Sequence, residues 1–162
     1  MSLDEFWDWL QNTDLAFQIG ATWWFPLIES IHVIAIAMVL GSILTVDLRL
    51  LGLAARAYPV SAVSRELTRW TWAGFILAAI TGLAMFITRP AAYADNTAFQ
   101  AKLVLLALAG INVAVLYTGA MRRIDTWEET NIVPTAARVA AAVSILIWVG
   151  VVLAGRWTGH LQ

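Results

Sequence analysis

Cysteine is absent from the 162-residue chain. Thiol catalysis, disulfides, iron–sulfur clusters and covalent c-type haem attachment are thereby excluded. Charge is scarce as well. Charged residues make up 13% of the chain, where a soluble domain carries about 25%. The net charge of −1 speaks against nucleic acid as a partner. There is one lysine, Lys102, and there are two histidines, His32 and His160. No internal repeat and no low-complexity tract stands out. The acidic start (Asp4, Glu5, Asp8) lacks the basic stretch of a cleavable signal peptide, so none is expected. What fills the chain is apolar: 60% hydrophobic residues and a mean hydropathy of +0.75. Such a chain is an integral membrane protein, too short for a bundle plus a separate soluble domain.

The apolar residues fall into four long segments, over about 24–46, 70–88, 102–121 and 135–156. Each approaches or exceeds the roughly 20 residues that a helix needs to cross the hydrocarbon core. Pro26 is tolerated in a first helical turn. Trp23, Trp24, Trp70, Trp72, Trp127 and Trp157 fall at the segment ends, as in interfacial aromatic belts. Ahead of the first segment, Ser2 and Glu5 have the spacing of a capping box, and Leu3, Phe6, Trp7 and Leu10 share one face. Residues 1–20 are therefore expected to hold an amphipathic helix lying on the membrane surface, and 21–162 a four-helix bundle. The fold class is all-α. Thr97 and Gln100 form a second box pattern, which predicts a helix start just before Lys102.

Basic residues set the expected orientation. Arg49, Arg56, Arg65 and Arg69 surround the first connection, and Arg122, Arg123 and Arg138 the third. Arg89, Lys102 and Arg156 are left for the other side. Seven against three places those two connections in the cytoplasm of a bacterial inner membrane and both termini outside. With that topology His32 lies about 10 Å inside the outer end of its helix. Lys102, Arg156, His160, Arg89 and Met85 all fall near the same outer level.

The stretch FPLIESIHVIAIAMVLG places Glu29 and His32 within an apolar segment, three residues apart and so on one helical face. Ionisable residues inside a span tend to face the bundle interior and to mark functional sites. A histidine turned to lipid would leave its ring nitrogens unpaired, at a cost of several kcal/mol. His32 could be a structural partner of Glu29, or it could ligate a metal with Glu29 on its other nitrogen fixing the tautomer. A bare zinc site needs more protein ligands than this level offers. Copper usually wants Cys, Met or several His. Haem needs only one or two axial ligands from the protein. Small residues on the second segment (Gly74, Ala78, Gly82) and the third (Ala107, Gly110, Ala114) allow close helix packing or space for a flat macrocycle.

The stretch LIESIHVIAIAMVLGSILTVDLRLLG, followed by FQAKLVLLALAGINVAVLY some seventy residues after the histidine, resembles two related groups. They are the small haem-binding membrane protoporphyrinogen oxidases of bacteria and the copper-resistance D type membrane proteins. The DLRLLG end looks more like uncharacterised members of the wider group. In the oxidases a histidine of the first helix and a lysine opening a later helix serve haem b, and His32 and Lys102 occupy those positions here. The resemblance implies a membrane b-type haem protein served by His32 and Lys102. Spacing and the shared outer level supply the rest of the expected site: His32 is the axial ligand with Glu29 behind it, and the sixth position is either filled or left open. Lys102 or His160 would be the sixth ligand, and Arg156 and Arg89 would pair with the propionates, since guanidinium suits carboxylates. Electron transfer, or oxidation of a quinol or porphyrinogen, would be the activity; no catalytic residue is assigned. Membrane lipid, a redox partner or quinone, and further copies of the chain are the expected partners. The alternative is a non-haem membrane subunit, or an ion or metal transport protein, in which Glu29 and His32 form a relay.

Overall fold

The computed structural model describes residues 2–130 and 132–159. Two short helices, α1 (Leu3–Gln11) and α2 (Asp14–Ala21), precede the long α3 (Trp24–Leu50) and α4 (Val60–Phe86). A five-residue α5 (Pro90–Ala94) leads into the long α6 (Thr97–Thr118). A 3-10 turn (Ala120–Arg123) and α7 (Ile124–Glu128) then connect to the long α8 (Thr135–Thr158). No strand occurs among the described residues. The four long helices are apolar and long enough to cross a membrane, and the chain is a membrane protein of the expected all-helical class.

The surface helix becomes two. The Ser2–Glu5 capping box forms as its spacing predicts, but α1 ends at Asn12, and Thr13 caps α2 by accepting from the Ala16 amide. The second box does not form. Asn96 is the cap of α6, its side chain accepting from the Ala98 and Phe99 amides, while Gln100 donates to the Ala94 carbonyl. An asparagine one residue earlier reaches two free helix-end amides, so it takes the position from Thr97. α4 begins ten residues before the predicted start, with Arg65, Glu66 and Arg69 on its exposed first turns. Hydropathy finds where a helix enters lipid, and this one continues beyond it.

α3 packs chiefly on α4 and α6 on α8, with α3 against α8 joining the two hairpins. Between α3 and α4 the chain reverses at Gly52, whose φ of +73° places it in the left-handed region. Leu53 N–H donates to the Leu48 carbonyl and Gly52 N–H to that of Arg49, the bonding pattern that closes a helix end on glycine. The connections 51–59 and 119–134 lie at the end of the bundle where most arginines gather, hereafter the arginine end. α1, α2 and α5 cover the opposite, terminal end.

Buried apolar residues concentrate away from the terminal end. Leu50, Val60, Leu116, Met121, Trp127, Ala137, Ala140 and Ala141 form one cluster at the arginine end. Val39, Ala109, Trp148 and Val151 form a second, midway along the bundle. Trp127 is a correction to the aromatic belt: it is buried, and its indole N–H donates to the Ala120 carbonyl. Trp23, Trp24, Trp70, Trp72 and Trp157 are exposed, as expected. Among the small residues, Gly74 and Gly82 face α3, where an added Cβ would meet Val39, Met38 and the Ala35 carbonyl in one case and His32 in the other. The stripe on α6 does not face the bundle: Ala107, Gly110 and Ala114 are exposed, and open space surrounds Gly110.

Candidate functional site

His32 sits about two turns into α3, half-buried, with its ring turned onto α4. The absence of a side chain at Gly82 makes the approach possible, since a Cβ there would come to 3.2 Å from His32 Cε1. Nδ1 lies 2.8 Å from the Thr81 hydroxyl. That hydroxyl already donates to the Leu77 carbonyl at 2.7 Å, with the Ala78 carbonyl at 3.2 Å. With its proton directed to that carbonyl, the hydroxyl is placed to accept, an arrangement that favours the tautomer with hydrogen on Nδ1. In a neutral imidazole the other nitrogen then holds a lone pair. Thr81 and Gly82 together fix a histidine whose Nε2 is free to act as a base or a ligand.

Glu29 does not take the place expected for it. It is exposed, and among the described residues no hydrogen bond joins it to His32. The ring's orientation is set across the helix pair by Thr81 rather than along α3. No signal in the α3 sequence could have named Thr81; it is a common residue on another helix, and only the antiparallel register brings it opposite His32.

Lys102 stands in the second turn of α6, half-buried and within electrostatic range of His32. Its alkyl chain and Nζ lie over Gly155 of α8, where a Cβ would come to 3.9 Å. Among the described residues the ammonium has no carboxylate partner. α3, α4, α6 and α8 thus bring His32, Thr81, Gly82, Lys102 and Gly155 to one level. Arg156, next to Gly155, is exposed, and Arg89 is exposed at the start of α5, where it lines a separate cavity. His160 lies outside the described residues. No group of three His, Cys, Asp or Glu side chains converges among the described residues, so ligation by these protein side chains alone lacks donors here.

A second polar site escaped the sequence reading. Asp47, near the arginine end of α3, is only 3% exposed. The Ser144 side chain of α8 stands as a hydrogen-bond donor toward its carboxyl, while Oδ2 has no partner among the described residues. One turn further along α8, the buried Trp148 indole N–H is also unpartnered among the described residues. Asp47 lies beside Arg49 in a run with the look of a helix end, which hid it. The structure continues α3 through it and turns it inward.

The chain belongs to a family of unknown function (DUF6644), whose model matches residues 6–161. No curated protein matches it, and no solved structure does.

Proposed function

We propose that this chain is a membrane b-type haem protein that transfers electrons, or oxidises a small molecule such as a quinol or a porphyrinogen, at the outer leaflet of a bacterial inner membrane. The observation that carries the reading is the His32–Thr81 bond, which holds the imidazole with Nε2 as its lone-pair nitrogen. An axial ligand needs that tautomer, and a hydrogen bond to the far nitrogen is its usual support.

The residues present fit a haem. His32 would be one ligand of the iron, and Lys102 or His160 would be a second. Lys102 has the stronger support, being close to His32 and without an anionic partner. A lysine ligates only as the free amine, which a dry site and a metal both favour. Arg89 and Arg156, at the terminal ends of their helices, are the candidate propionate partners. When bound, haem supplies a one-electron couple with a potential set by its axial ligands and its burial. The chain's part is to orient His32 through Thr81 and to seat the two donors against Gly82 and Gly155. The similarity of the His32 and Lys102 segments to the haem-binding oxidases supports the same assignment. The arginine distribution supports an outward-facing site with both termini outside.

An absorption spectrum of protein purified from haem-replete cells tests this directly. A Soret band and a b-type pyridine haemochrome are expected, and a colourless preparation would overturn the reading.

The alternative, a non-haem subunit or an ion transport protein, draws on a different observation. α3 carries two inward-facing ionisable side chains, His32 and Asp47, about 22 Å of helix rise apart. Such residues can serve a proton relay. In that case Asp47 replaces Glu29 as the partner of His32, and the purified protein is colourless.

A further inference from the structure

At the terminal end, two helical turns beyond His32 and Thr81, the α3–α4 groove opens into a cavity of about 350 Å³. Phe25, seven residues before His32 on α3, continues that helix face into it, and Thr88, two residues past the end of α4, lines it from the other side. α2 forms another wall with Phe17, Gly20 and Ala21, and Arg89 and Tyr93 close it from α5. An aromatic cluster holds this cap in place. Trp7 of α1 meets Phe86 edge-on at 5.7 Å, and Phe86 stacks on Phe99 of α6 at 5.6 Å. The walls therefore belong to elements that are packed together, which makes the cavity a built feature.

Its chemistry has two halves. Phe17, Phe25 and Tyr93 offer ring surfaces, while Arg89 offers a guanidinium that forms no ion pair among the described residues. The cavity lies where apolar helices meet the amphipathic α1 and α2, which expose Trp9, Leu15 and Phe17 as helices at a membrane interface do. An unpaired guanidinium beside aromatic walls at that depth suits a molecule with an acid head and an apolar body. The volume is at the small end for ligand pockets, enough for a headgroup or the first part of an acyl chain.

We infer that this cavity binds an acidic amphiphile of the membrane, with its carboxylate or phosphate on Arg89 and its apolar body along Phe17, Phe25 and Tyr93. Of the residues assigned to a haem, its walls include Arg89 but neither His32 nor Lys102. Ala21, on a wall that the haem reading does not use, therefore tests the cavity separately from that reading. Lipid carboxylate and lipid phosphate share this chemistry, and the test separates them.

The test is native mass spectrometry of the full chain in detergent, delipidated and then titrated separately with oleate, dioleoylphosphatidylglycerol and dioleoylphosphatidylcholine. One saturable equivalent of an acidic amphiphile is expected, held at least tenfold more tightly than the phosphatidylcholine. Retention of oleate alone assigns a free carboxylate, and retention of the phosphatidylglycerol alone a lipid phosphate. Arg89→Gln should weaken retention at least tenfold, and Ala21→Trp, which puts an indole on a lining position, should do the same. Arg122→Gln at the far end should change nothing. Equal retention of all three lipids by the native protein overturns the inference without any variant. So does unchanged retention in Arg89→Gln or, should that variant fail to fold, in Ala21→Trp.

Discussion

Nδ1 of His32 and the hydroxyl of Thr81 meet at 2.8 Å from two antiparallel helices, 49 residues apart in the chain. The bond does two things. It removes the cost of an unpaired nitrogen in an apolar setting, and it decides which nitrogen is left with a lone pair. If Nε2 is a haem ligand, His32→Ala abolishes haem binding, since the other histidine, His160, lies beyond the last spanning helix. Thr81→Val removes only the support, and loss of such a partner typically weakens metal binding 10–100-fold. Haem titration followed at the Soret band measures both. Full haem with an unchanged spectrum in His32→Ala would show that the site assignment is wrong.

The sixth ligand separates by spin state. Lys102→Ala is expected to keep haem but to convert a low-spin spectrum to high-spin, because Lys102 lies within electrostatic range of His32 and has no carboxylate partner among the described residues. His160→Ala should leave the spectrum nearly unchanged. The reverse result would move the ligand to the C-terminal tail. High-spin haem in the native protein would mean that neither side chain ligates and the position is open.

How far these features were legible in the sequence depended on whether they repeat along one helix or arise between two. The four spans, the Ser2–Glu5 box and the inward position of His32 follow from local patterns, and they stand in the structure. Glu29 was matched to His32 on spacing along α3, yet the ring turned to Thr81 on α4, where Gly82 makes room. Asp47 was hidden because a charge near a span end ordinarily reaches for water, and packing against α8 overrides that. The small residues of α4 and α6 look alike in sequence. Only the pairing of helices decides that one stripe packs toward a neighbouring helix and the other is exposed.

That difference between stripes is measurable. Gly74→Ala would place a Cβ 2.9 Å from Val39 Cγ2 and 3.1 Å from the Ala35 carbonyl, so α3 and α4 must move apart. A loss of about 1–3 kcal/mol is expected, the usual cost of overpacking. Gly110→Ala meets nothing within 4 Å and should not lower stability in an unfolding titration in mixed micelles. Equal losses in both would place a second chain against the α6 stripe, and cross-linking would then show the oligomer.

Orientation is open to direct labelling. A cysteine introduced at Arg65, exposed on the first turns of α4, should react with a membrane-impermeant maleimide only after the membrane is opened. A tag on the N-terminus should be accessible in intact spheroplasts. The opposite pattern would place the His32 level in the inner leaflet and remove the argument for an outward-facing site.

The Asp47–Ser144 pair gives the last test. Asp47 is buried with Oδ2 unpartnered among the described residues, and the Ser144 side chain stands as a hydrogen-bond donor toward its carboxyl. Ser144→Ala removes that donor and leaves the carboxyl bare, which costs about 1–3 kcal/mol for a buried polar group. Asp47→Asn keeps an oxygen to accept from Ser144 and carries no charge to bury, so it should be neutral or slightly stabilising. Replacing both, Asp47→Leu with Ser144→Ala, exchanges a polar pair for an apolar one and should cost less than Ser144→Ala alone. A double-mutant cycle read by unfolding in mixed micelles measures the coupling. If Asp47→Asn destabilises as much as Ser144→Ala, the carboxyl depends on a partner besides Ser144. If it is neutral in stability but abolishes proton movement in reconstituted vesicles, Asp47 belongs to a relay and the alternative reading gains over the haem.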